Sequence, residues 1–152
     1  MSTTHFVAWI HAPRAAVYRA LVDGDAVARW MVPDGMTSRV HVFDAKVGGA
    51  LRVSLTYEAV EGVGKTSART DTFHGHFVEL VADAKVVEAI EFETEDPAMK
   101  GEMVVTYALF DARGGTELVA THDGVPPGVS EADNEVGWRM SVAKLRALVE
   151  GR

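Results

Sequence analysis

Cysteine is absent from this chain of 152 residues. That excludes disulfides, thiolate metal ligands and cysteine nucleophiles, and it suits a reducing compartment. Long apolar runs are missing as well. None approaches the ~20 residues that a membrane helix requires. Met1 to His5 show neither a basic start nor an apolar signal core, so neither export nor membrane insertion is expected and the cytoplasm is the expected location. Positive charge is also scarce, with 15 Lys and Arg against 22 Asp and Glu and a formal charge of -7. Such a surface repels phosphate backbones, and no local basic cluster overcomes this, so nucleic acid is not expected as a partner. No linker, repeat or low-complexity tract divides the chain. Residues 1–152 therefore read as a single domain, long enough to bury roughly 70% of the surface its unfolded form would expose.

What is present is an ordered series of local patterns. Phe6 to His11 is β-branched and aromatic and ends before Pro13, as a first strand would. Pro13 suits the first turn of a helix, and Val17, Ala20 and Leu21 follow at helical spacing. Asp23 or Asp25 can cap a second short helix running through Val27 and Trp30, which Pro33-Asp34-Gly35 ends. Two short helices in tandem suit a lid or plug. From Arg39 the period changes to two. Leu51, Val53, Leu55 and Tyr57 share one face while Arg52, Ser54, Thr56 and Glu58 share the other, the pattern of a sheet dry on one side.

Residues 59 to 69, rich in Gly, Ser, Thr and Lys, form a long loop and the expected mobile segment. Further strands are expected at about 71–81, 85–93, 101–111 and 116–122, with reversals at Asp83, Asp96-Pro97 and Arg113-Gly114-Gly115. Short reversals imply antiparallel neighbours. Ser130 then caps the longest helix, whose apolar stripe is Trp138, Val142, Leu145, Leu148 and Val149.

Taken in order, His11-Ala12-Pro13, Asp23 through Arg29-Trp30, Asp44 through Val47-Gly48-Gly49, Gly75 through Glu79, Gly115-Thr116-Glu117-Leu118 and Gly137-Trp138 resemble a known pattern. It is that of the bacterial proteins similar to the activator of the heat-shock-protein-90 ATPase, within the START-like, or polyketide cyclase-like, superfamily. The likeness spans nearly the whole chain. It implies an α+β helix-grip fold: a seven-stranded curved antiparallel sheet wrapped around a long C-terminal helix, with two short helices after the first strand closing one end. It also implies an interior cavity for an apolar or amphipathic small molecule, and no particular chemistry.

The alternation nominates the residues that would face such a cavity. With the Leu51-to-Tyr57 face inward, His41 and Phe43 point inward from the preceding strand, and Val105, Tyr107 and Leu109 from a later one. His122 joins Leu118 and Ala120. The candidate ligand-binding set is His41, Phe43, Leu55, Tyr57, Glu88, Val105, Tyr107 and His122, completed by Trp138 and Ser141 on the terminal helix. An unpaired polar group in an apolar cavity costs roughly 1–3 kcal/mol, so an inward His or Tyr needs a protein partner or a ligand. Glu88 alternates with Val86, Ile90 and Phe92 and is the most anomalous charge in the chain. Buried without a partner it would have a raised pKa and could serve as a general acid or base; a bulge would instead turn it outward. Gly137 either lets the helix approach the sheet closely or leaves room for a ligand.

Other signals carry less. His74 and His76 share a strand face at the spacing of a metal pair, but no third ligand accompanies them, so neither a metal nor a cofactor is expected. Gly62-Val63-Gly64-Lys65-Thr66 lacks the spacing and the strand-to-helix context of a phosphate loop. Three functional readings follow. The first is a non-catalytic binder of an apolar or amphipathic small molecule. The second is a cyclase, dehydratase or hydrolase in which Glu88, His41 or His122 acts as acid or base while Tyr57 or Tyr107 orients the substrate. The third, motivated by the resemblance, is a module assisting a chaperone. A homodimer through an edge strand is compatible with the sequence, as is a monomer.

Overall fold

The computed structural model describes residues 2–58 and 70–151; the loop expected at 59–69 lies outside them. The elements run β1 (Ser2–Ile10), α1 (Arg14–Leu21), α2 (Gly24–Trp30), β2 (Met36–Phe43), β3 (Ala50–Tyr57), β4 (Thr70–Val81), β5 (Lys85–Phe92), β6 (Met103–Ala112), β7 (Gly115–Val125) and α3 (Glu131–Val149). The strands form one seven-stranded sheet in the order β1-β7-β6-β5-β4-β3-β2, and every neighbouring pair is antiparallel. The sheet curves, and with α3 it makes the helix-grip arrangement. β1 starts earlier than its apolar pattern does. Thr4 and His5 are recruited by backbone pairing with His122 and Thr121 of β7, which side-chain alternation does not record.

Both caps foreseen in the sequence form. The Asp23 carboxylate accepts from the Asp25 amide at 3.0 Å and starts α2, and the Ser130 hydroxyl accepts from the Asp133 amide at 3.2 Å and starts α3. The two short helices are a plug rather than a surface flap. Val17, Leu21, Val27 and Trp30 are fully buried, and the Trp30 indole donates to the Ala20 carbonyl at 2.9 Å, tying α2 to α1.

Two of the recurrent motifs meet in space. The Thr116 hydroxyl, wholly buried, donates to the carbonyl of Ala12 at 2.7 Å and so pins the start of β7 to the segment between β1 and α1. Gly48-Gly49 makes the turn before β3 and stitches it onto β4: the Gly48 amide donates to the Phe77 carbonyl at 2.8 Å, and the Phe77 amide to the Gly49 carbonyl at 3.0 Å. A Cβ on Gly49 would stand 2.0 Å from the Asp44 carbonyl oxygen, so the turn closes only around glycine.

One strand breaks its expected alternation. In β2 the register shifts between Val40 and Val42, with Val40 opposite Val53 and Phe43 opposite Leu51. That bulge leaves Val40 and Phe43 on the inner face and turns both His41 and Val42 outward, where His41 Nε2 meets the Ser54 hydroxyl at 2.8 Å. His41 is therefore removed from the inward set.

Candidate functional site

Between α3 and the inner face of the sheet lies a cavity of about 360 Å³. Its walls follow from the periodicities. Leu55 and Tyr57 of β3, Glu88 and Ile90 of β5, Val105 and Tyr107 of β6 and His122 of β7 project inward on period two, and Gly137, Trp138 and Ser141 face them from α3. Eight of the ten residues proposed from sequence thus line one space. The exceptions are His41, turned outward by the bulge, and Phe43. Phe43 faces inward but lies beyond the cavity, edge-on to Phe77 at 5.2 Å between ring centroids and 3.1 Å, through its own Cβ, from where a Gly24 Cβ would stand. It packs the plug end of the core.

Polar groups divide sharply between satisfied and unsatisfied. His122 is satisfied. Its Nδ1 accepts from the Trp138 indole at 3.1 Å and faces the Asn134 amide nitrogen at 3.2 Å, while Nε2 stands 3.1 Å from the Met103 sulfur. Two donors aimed at Nδ1 require the tautomer with hydrogen on Nε2. Burial lowers the His122 pKa to about 4, against a small opposing pull from Asp123, so the ring is neutral near pH 7. It is held in place rather than poised to transfer a proton.

Tyr107 and Glu88 are the opposite case. The Tyr107 hydroxyl is buried and has no hydrogen-bond partner among the described residues. Its ring is clamped edge-on by Trp30 at 6.1 Å and Trp138 at 5.8 Å. Burial first, and the Glu88 carboxyl second, push its pKa well above the ordinary tyrosine value. Glu88 is 3% exposed and makes neither hydrogen bond nor ion pair among the described residues, and burial raises its pKa to about 8. Near pH 7 it holds its proton and can donate a hydrogen bond.

The rim is wetter. Tyr57 is half exposed there, and Asp71 of β4 and Asp133 of α3 add carboxylates; partial burial raises the pKa of Asp71. No Lys or Arg among the described residues lines the cavity. Sequence reasoning missed these two aspartates and also Met31, Met36, Met99 and Met103, which supply much of the apolar wall. Methionine has no period of its own, and all four sit in a loop or on the first residue of a strand, where alternation gives no direction. Gly137 answers the choice left open for it. Among the described residues only Pro33 Cγ, at 3.8 Å, stands within 4 Å of a Cβ built there, so the missing side chain keeps space open.

On the outer face His74 joins a surface charge cluster. Its Nδ1 lies 2.9 Å from Glu93 and its Nε2 3.2 Å from Glu91, and Arg52 forms two hydrogen bonds with Glu93. Arg52 above all, with His74, holds the Glu93 pKa down at about 2. Among the described residues no group of three His, Asp or Glu side chains is arranged to hold a metal ion, and no helix is long and apolar enough to cross a membrane.

A curved antiparallel sheet gripping a C-terminal helix over such a cavity defines the START-like class of folds. Within it, the family model described as Activator of Hsp90 ATPase homolog 1-like protein matches residues 11–150, and the chain belongs to that family. A crystal structure of a protein from Chromobacterium violaceum is similar at 30% identity with a TM-score of 0.87, covering 97% of this chain and 96% of that one. One from Rhodobacter sphaeroides shares the fold at 19% identity and a TM-score of 0.81, covering 99% and 93%. The solution structure of an AHSA1-like protein from Aeromonas hydrophila does so at 21% and 0.70, covering 99% and 93%. No curated protein matches the chain.

Proposed function

We propose that the protein binds an apolar or amphipathic small molecule, without transforming it, between α3 and the inner face of the sheet. The observation that carries this reading is the pair formed by Tyr107 and Glu88. Both are buried, both face the cavity, and among the described residues the Tyr107 hydroxyl has no hydrogen-bond partner and no hydrogen bond or ion pair reaches the Glu88 carboxyl. Leaving such groups unpaired costs roughly 1–3 kcal/mol each, a cost that a ligand oxygen or nitrogen would remove. The cavity volume falls within the range of small-molecule sites, and a few polar groups on an apolar wall are how such sites orient a ligand. Burying ~300 Å² of apolar ligand surface contributes about 7 kcal/mol gross, much of it offset by association and ordering, which places affinity in the micromolar range.

Trp138 lies in the wall and reports occupancy. Lipids, sterols, aromatic polyketides and hydrophobic dyes should include binders that raise the melting temperature and alter indole fluorescence. A panel that changes neither refutes the reading.

One observation favours a second reading. A carboxyl that holds its proton near pH 7 beside a tyrosine hydroxyl could act as a general acid in a cyclase, dehydratase or hydrolase. His122, neutral and engaged at both nitrogens, would not share that work. Turnover that survives unchanged in Glu88→Gln would remove the enzymatic reading.

A further inference from the structure

We propose, building on the small-molecule reading, that the preferred ligands are apolar molecules carrying a basic nitrogen and that the cavity turns carboxylates and phosphates away. The acidic side chains that face it have no Lys or Arg counterpart among the described lining residues. Glu88 projects from β5, Asp71 from β4 and Asp133 from α3. The other titratable groups on the wall are Tyr57 of β3, Tyr107 of β6 and His122 of β7, the last neutral with its Nδ1 already occupied. Lys144 of α3 does not line the cavity: its ammonium is held by the Val32 carbonyl and by Asp34 at 3.1 Å.

An acid entering this space would find no cation among the described lining residues, and its charge would face Asp71 and Asp133 with only the neutral Glu88 carboxyl and the Tyr107 hydroxyl as donors within. An ammonium group finds three things it can use. Glu88 gives it a carboxylate, the unpaired Tyr107 oxygen an acceptor, and the rings of Tyr107 and Trp138 electron-rich faces. The acidity of the rim aids approach of a cation.

Protons then balance in a defined way. The empty site holds one proton on Glu88 near neutral pH, and the ammonium ion brings its own charge. Pairing them leaves the proton on nitrogen, ionises the carboxyl and releases one proton to solvent. Amine affinity should therefore rise with pH, by at most about tenfold per pH step below about 8. Alcohol affinity should not rise.

The test uses the full-length protein and three probes of equal chain length, decylamine, decanol and decanoate, followed by calorimetry at pH 6 and pH 8 in two buffers of different ionisation enthalpy. Decylamine should bind at least about tenfold more tightly than decanol at pH 8, decanoate more weakly than decanol, and amine binding should release close to one proton at pH 6 and about half of one at pH 8. In Glu88→Gln the amine-to-alcohol affinity ratio should fall toward one and the proton release should vanish. Decanoate binding as tightly as decylamine, or amine binding without proton release, overturns the amine preference while leaving small-molecule binding standing. Failure of all three probes to bind overturns both.

Discussion

Replacing Glu88 by glutamine removes a charge and keeps the shape, which makes it a direct measurement of what the buried carboxyl does to stability. In the unfolded chain the carboxyl ionises near 4.5; in the fold, where it is 3% exposed, it ionises at about 8. Below 4.5 both states hold the proton and no stability difference arises. Between 4.5 and 8 the unfolded chain has released the proton and the folded one has not, so stability falls as pH rises, and above 8 the loss is complete. The full cost is at most about 5 kcal/mol, with about 3 kcal/mol of it already incurred at pH 7. Urea unfolding of wild type and Glu88→Gln at pH 4, 5, 6, 7 and 8 reads this out as a difference, in which every other titrating group cancels. The variant should match wild type within about 0.5 kcal/mol at pH 4 and gain steadily to pH 8. At pH 7 its melting temperature should be higher, by about 2–4 °C for each kcal/mol gained. Parallel stability curves, or a variant that loses stability at pH 8, would show that the carboxyl finds compensation in solution, and the assignment of a buried unpaired acid would fail.

His122 has the opposite slope. Its pKa falls from 6.5 to about 4 on folding, so the stability it contributes is present above 6.5 and is lost as pH falls toward 4. Nitrogen chemical shifts of the ring should show Nδ1 unprotonated and Nε2 protonated down to pH 5; a ring that charges near 6.5 contradicts the Trp138 bond. Thr116→Val leaves the Ala12 carbonyl without its buried donor and should cost about 1–3 kcal/mol in chemical denaturation. Gly137→Ala should stabilise the protein by up to about 1 kcal/mol, because a helix interior favours alanine and the new methyl meets only Pro33 at 3.8 Å. Gly137→Leu should abolish binding of any ligand that quenches Trp138, since its side chain would enter the cavity.

How much could be read from residues alone depended on whether one period ran unbroken. β3 alternates cleanly, so the inward course of Leu51, Val53 and Leu55 was visible without coordinates, whereas in β5 the same period set Glu88 beside Val86 and Ile90 but left open a bulge that would have turned it outward. β2 alternates too, but the extra residue at its bulge reverses the phase for His41 and preserves it for Phe43, and no side-chain pattern announces where a bulge falls. Phe43 shows a second limit. Period two says which face a side chain takes, but not how far along the sheet the plug ends and the cavity begins. The terminal helix was legible from its cap and its stripe, whereas Asp133 and Asn134, one turn before Gly137 and Trp138 on the same face, are polar and stood outside that apolar stripe. Asp71 was missed because it is the second residue of β4, where alternation has barely begun to give a direction.

The methionines in the wall have a consequence of their own. In a chain without cysteine all of the sulfur is thioether, and four of the six methionines border this one space. Oxidation to the sulfoxide would give each of them a polar, chiral oxygen, changing the wall from apolar to hydrogen-bonding without any change in fold. The site most adaptable to an apolar guest thus also carries four oxidisable sulfurs, and Met103 oxidised beside His122 would present an S=O acceptor to the Nε2 hydrogen that now points at sulfur. Oxidant would remodel what this cavity accepts, and a guest lodged in it would shield those same sulfurs.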